Sequence, residues 1–148
     1  MIENDQATLQ AHLPSASDPV PGWARGPRET GRAAFLRRGF PTTRDEEWRY
    51  TDLSRLVRAP LAATDVVPGD LLAGVDASRL DGPRLSFVNG RSHGCDAASR
   101  PDEGCFVGDL ASANAAHPDL LADHLGRLVD LESEPLTALN AAHLGEGA

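Results

Sequence analysis

His93, Cys95 and Cys105 are the residues of this sequence most suited to chemistry, because imidazole and thiolate are good ligands for zinc or iron. Their spacing works against a metal site. A closed site needs three or four ligands close together. His93-Gly94-Cys95 supplies two, Cys105 follows after a nine-residue gap, and there is no Cys-x-x-Cys pair. We expect two ordinary thiols on neighbouring strands, with a minor metal or redox binder through His93, Cys95 and Cys105 as an alternative. His117 and His124 stand seven positions apart, whereas helical metal pairs stand three or four apart; we expect a loop residue and a solvated one. His143 is alone.

Nucleophilic and phosphate chemistry have no frame here. The sequence contains neither a Gly-x-Ser-x-Gly elbow nor a Gly-x-x-x-x-Gly-Lys-Ser/Thr loop. Asp45-Glu46-Glu47 are three carboxylates in a row, but adjacent residues on a helix point in different directions and do not converge for acid/base work. They are expected to favour a helix N-terminus instead. We assign no catalytic and no metal-ligating residue, and expect a chain that is not an enzyme and has no cofactor of its own.

The densest signal runs from Gly39 to Leu53. Gly39 is a helix stop, and Pro41 forces Phe40 out of the helical region. Thr43 and Glu46 have capping-box spacing, and one or two helical turns carrying Trp48 should come after them. Two readings fit these residues. Trp48 and Tyr50 fill a small core, as aromatics mostly do, or they are anchors that dock a protein partner.

The elements that would position these residues are short. The 148 residues include 14 glycines and 11 prolines, and aromatics make up only 5%. A helix is expected over 3–13, with Leu9 and Leu13 on one face. Asp18 and Pro19 start another, weakened by Gly22, Gly26, Pro27 and Gly31 and best formed over 28–38. Its face carries Trp23, Ala34 and Phe35, with Arg28 and Arg32 solvated. Residues 52–57 read as a short helix, 60–67 as a connector, Pro68-Gly69-Asp70 as a turn and Leu71-Leu72 as a brief helical turn. Leu85 to Val88 is a strand, Asn89-Gly90 a hairpin turn, and Arg91 to Cys95 the return strand. Cys105-Phe106-Val107 is another candidate strand. Pro118 begins an amphipathic helix with Leu121, Leu125, Leu128 and Val129 at helical spacing. Ser133 and Pro135 start the last helix, with Leu136, Leu139 and Ala142 on one face. The fold class is α+β: short N-terminal helices (1–67) followed by a small mixed unit (68–148) with a β-hairpin and two C-terminal helices.

The charge balance narrows the partners. A net charge of -8 repels phosphate backbones and anionic lipid heads, so neither nucleic acid nor a membrane is expected. No segment approaches the ~20 apolar residues of a membrane helix. The acidic, polar start Met1-Ile2-Glu3-Asn4-Asp5 is unlike a secretory signal. Two cysteines are too few for a secreted disulfide framework. The expected location is the cytoplasm.

Gly39-Phe40-Pro41-Thr42 and Glu46-Glu47-Trp48-Arg49-Tyr50-Thr51 resemble the leading motif of the SufB/SufD family of iron–sulfur cluster assembly scaffolds, and the SufD branch more closely. Arg84 to Arg91 is similar to the family's strand–turn run. Glu134 to Ala142 is similar to the run before its central domain. The resemblance extends from about residue 20 to the end, and its motif residues here are Gly39, Pro41, Thr42, Glu47, Trp48, Tyr50 and Thr51. It implies a non-catalytic leading region that supports assembly with SufB-like and SufC-like proteins, the iron–sulfur cluster belonging to the full complex. Family members continue into a right-handed parallel β-helix, which no residue here matches, so the sequence resembles a truncated member. A free-standing protein-interaction module is the alternative.

Overall fold

In the computed structural model of the protein, which describes residues 4–15, 20–59, 82–96 and 105–145, Asp5 opens the first helix. Its carboxylate accepts the Thr8 N–H at 2.8 Å, satisfying one of the donors that a helix start leaves free. The helix, α1 (Gln6–Ala11), lies inside the expected 3–13 span, and Leu9 and Leu13 are both buried.

The second helix, α2 (Gly22–Arg38), is longer than its glycines and proline suggest. It runs unbroken through Gly26, Pro27 and Gly31, although Pro27 contributes no N–H to the helical ladder. Tertiary packing overrides local propensity. Ala24, Gly31, Ala34 and Phe35 are buried, and α6 (Pro135–Ala142) lies against the Gly31 side. Gly39 ends α2 with a φ of 72°, its N–H donating to the Phe35 carbonyl at 2.7 Å. The expected cap at Asp18-Pro19 falls outside the described residues.

A short α3 (Ser54–Arg58) comes next, with Val57 buried and Leu56 largely exposed. The core that these helices share comprises Leu9, Leu13, Ala34, Phe35, Phe40, Val57, Leu131, Ala138 and Ala142. Phe35 and Phe40 meet edge to face, ring centroids 5.0 Å apart.

The chain divides into two compact units: residues 1–61 with 122–145, and residues 62–121 with 146–148. A break at 67/68 therefore does not separate them. The last helix belongs with the helical front, because Ala138 and Ala142 complete its core.

In the other unit, β1 (Arg84–Val88) pairs antiparallel with β2 (Arg91–Asp96) across the Asn89-Gly90 turn. Both turn residues have positive φ, 52° and 79°, the pattern of the tight hairpin that Asn-Gly favours. Phe87 pairs with Ser92 and Ser86 with Gly94, so His93 is the extra residue of a bulge. Cys105–Val107 forms no strand. Instead Asp109 caps a helix absent from the expectations, α4 (Leu110–Ala116), its carboxylate accepting the Ser112 N–H at 2.7 Å. The helix begun at Pro118, α5 (Pro118–His124), is shorter than expected. The chain then turns, with Gly126 at a φ of 74°, and Leu128 beyond it is 80% exposed rather than packed. The division between the units passes through α5.

Helices and one antiparallel hairpin make this a small α+β fold. No helix among the described residues is long and apolar enough to cross a membrane.

Candidate docking site

The segment from Gly39 to Ser54 is built by side chains that close turns, with Trp48 half-buried and Tyr50 outside. Asn4 holds its start. The Asn4 amide donates to the Phe40 carbonyl at 2.9 Å and accepts the Phe40 N–H at 2.9 Å, satisfying both backbone groups of one residue. Gly39 lies so close to Asn4 that an added Cβ would sit 2.6 Å from Asn4 Cγ, which together with its positive φ explains the glycine. Phe40 and Pro41 are buried, and the His12 ring meets Phe40 edge-on at 4.9 Å.

The expected capping box at Thr43 and Glu46 does not form; the equivalent contact sits one residue earlier. Asp45 Oδ2 accepts the Thr42 N–H at 2.7 Å and the Thr42 hydroxyl at 3.1 Å, while the Asp45 N–H donates to the Thr42 carbonyl at 2.9 Å. An aspartate side chain is short enough to reach back over this turn. The chain continues into a single 3₁₀ turn (Glu46–Trp48), then a second Asx-type closure in which Asp52 accepts the Ser54 N–H at 2.8 Å and its hydroxyl at 3.0 Å. The two aromatics of this motif part company: Trp48 is half-buried and Tyr50 is 92% exposed, so Tyr50 does not fill a core. The aromatic core is Phe35 and Phe40 instead.

Within the motif, Gly39, Pro41 and Thr42 shape the backbone. The Thr51 N–H donates to the Trp48 carbonyl at 2.9 Å and its side chain is exposed. Glu47 is exposed. Trp48 lines a cavity of ≈ 240 Å³ with Arg38, Pro41, Glu47 and Pro135. The Arg49 guanidinium stands 5.7 Å from the centroid of the Tyr50 ring and covers it on one side. Glu46 and Arg49 approach at 3.9 Å, an exposed pair of little energetic weight.

Hydrogen bonds hold four aspartates below the ordinary carboxylate value. Backbone N–H groups are the first cause in each: Thr8 at Asp5, Thr42 at Asp45, Ser54 at Asp52 and Ser112 at Asp109. A depressed folded-state pKa adds stability that is complete above the unfolded value of about 3.8 and is lost as pH falls through the folded value. Thermal melts should therefore hold level, as far as these groups decide it, down to about pH 5 and fall below about pH 4. Asp45→Asn should lower the melting temperature at pH 7 and flatten the acid limb; an acid limb of unchanged slope would show that the Thr42 turn is not closed by the ionised carboxylate.

The other candidates do not assemble. His93 and Cys105 are exposed, and the Cys95 side chain lies outside the described ones. Among the described residues no three His, Cys, Asp or Glu side chains converge on a point that could hold a metal. His117 caps the end of α4 and meets Phe106 edge to face at 5.2 Å, and His124 is exposed.

His12 and His143, by contrast, are tied in. His12 Nε2–H donates to the Val57 carbonyl at 2.9 Å, and His143 Nε2–H donates to the His12 carbonyl at 2.8 Å. Sequence reasoning missed Asn4 and this pair, because their partners lie far along the chain and no local spacing announces them.

No family model, curated protein or solved structure matches the chain.

Proposed function

We propose that this chain is a non-catalytic scaffold segment: the leading region of a SufD-like protein that supports iron–sulfur cluster assembly in the cytoplasm with SufB-like and SufC-like partners through the full-length scaffold, Trp48 and Tyr50 forming a protein-docking surface on this segment. The observation that carries the docking role is Tyr50, 92% exposed on a turn whose neighbours are tightly hydrogen-bonded. An aromatic held outside on a rigid turn has little freedom left to lose on binding, and tyrosine is a preferred interface anchor. The three ordered motif resemblances support the family assignment. The cluster is cargo of the full complex, handled by residues outside this chain.

The same anchors would serve a free-standing interaction module, and partner identity separates the two. Binding of the purified chain to SufB-like and SufC-like proteins, followed by biolayer interferometry, is the test. Tyr50→Ala should weaken binding by roughly 30-fold, the effect of an anchor worth about 2 kcal/mol, with the melting temperature unchanged. Failure to bind either protein would assign the docking surface to the free-standing module reading. Parent-like binding by Tyr50→Ala would remove the docking role.

A further inference from the structure

A second cavity, of ≈ 430 Å³, opens where three arginines of α2 face Pro14, Val20 and Ala142. Arg25, Arg28 and Arg32 follow one another at three and four positions, so they share a helix face. Like charges at that spacing repel, yet these are brought to one opening, where Glu29 is the one carboxylate among the described lining residues. Among the described residues the lining carries more positive than negative side chains, in a chain whose net charge is -8.

Two of the three guanidiniums are fixed in place. Arg28 Nε–H donates to the Ala142 carbonyl at 3.1 Å, at the end of α6 where the helix dipole favours a cation. Arg32 donates to the Pro14 carbonyl at 3.2 Å and to Gln10 Oε1 at 2.6 Å. Both side chains are half-buried and tied to neutral acceptors, which position them without cancelling their charge. This corrects the expectation that Arg28 and Arg32 are simply solvated. Among the described residues, no acceptor meets the terminal nitrogens of Arg28, and no carboxylate pairs with Arg25.

We propose that this cavity is a binding site for a compact soluble dianion of the phosphomonoester type. Arg28 offers its outer fork as a bidentate donor, the geometry in which guanidinium recognises phosphate oxygens, and Arg25 and Arg32 flank it. A dianion suits a lining in which three arginines face one glutamate among the described residues. It also relieves the repulsion along α2. The site does not involve Trp48 or Tyr50 and stands whether or not they dock a partner.

Titrating the full chain with inorganic phosphate, with the arginine Nε–H resonances followed by NMR, tests it. The expected result is saturable binding with a dissociation constant on the order of 1 mM, weakening as salt rises. Arg25 and Glu29 are exposed and make no side-chain hydrogen bond or ion pair with the described residues, so their variants should leave the melting temperature in place. Arg25→Gln should weaken phosphate binding about tenfold, and Glu29→Gln should tighten it several-fold. Chloride at equal ionic strength should leave the resonances unmoved. Absence of saturation, equal responses to chloride and phosphate, or parent-like affinity in both variants would overturn the proposal. So would co-sedimentation with phosphatidate-containing vesicles in a chain that ignores free phosphate.

Discussion

Phe35→Ala should lower the stability of the helical unit by about 3–5 kcal/mol, the largest loss expected from any single truncation here. Phe35 is 0% exposed and is the largest side chain fully withdrawn from water among the described residues. Its ring lies 5.0 Å from that of Phe40 at an interplanar angle of 86°, so alanine removes an aromatic contact and leaves a void in the same place. The void cannot close easily. It is walled by α1, by α6 and by Phe40, whose backbone Asn4 clamps from both sides. Small domains are stable by only about 5–15 kcal/mol, so the loss is a large share of the total. Urea melts with an unchanged slope and a lowered midpoint would show it, and Phe35→Leu should cost much less. A loss under ~1 kcal/mol for the alanine variant would mean that Phe35 is not the centre of this core.

Gly31→Leu should nearly match that loss by the opposite mechanism. A Cβ on Gly31 would stand 2.7 Å from the Ala138 carbonyl oxygen, from Ala141 Cβ and from the Ala142 nitrogen. Two of these are backbone atoms of α6, so the two helices can only accommodate a side chain by separating. Overpacking of this kind costs about 1–3 kcal/mol even where some repacking is possible, and leucine adds three more carbons than alanine would. Gly26 supplies the control. It lies on the same helix, is exposed, and has open space, with nothing within 4 Å, where a Cβ would stand. Gly26→Ala should change stability by less than about 1 kcal/mol, because the gain in helix propensity is opposed by the new Cβ crowding the Pro27 ring that follows it. A large loss at Gly31 beside a small change at Gly26, read from thermal melts, identifies Gly31 as the point where α6 seats. Equal small changes at both would show that α6 does not press on Gly31.

Much of the local architecture was legible in the residues. Asn89-Gly90 announced the hairpin because only residues that tolerate positive φ can make that turn. Gly39 announced the end of α2, and the spacing of Leu9 and Leu13 announced the buried face of α1. What failed did so where distant packing outweighed local preference. Gly26, Pro27 and Gly31 look like helix breakers one by one, but Gly31 is the residue that admits α6 and so sustains the helix it would otherwise weaken. Leu121, Leu125, Leu128 and Val129 keep helical spacing, yet α5 ends at His124 because the chain turns through Gly126. At the docking segment, the residue types of the motif were legible but their depth was not. Whether Trp48 and Tyr50 lie inside or outside depends on the length of the turn that carries them, and the Thr42–Asp45 closure shortens it to a single 3₁₀ turn.

The seating of α6 among the first residues of the chain governs the order in which this unit can mature during synthesis. Residues 1–61 leave the ribosome well before Leu131, Ala138 and Ala142 exist to cover them. Until α6 emerges, the Phe35 side of α2 remains open to water, and its closure must draw together segments that the whole second unit separates in sequence. Such late, long-range closure slows folding and leaves a nascent apolar surface that a chaperone can recognise.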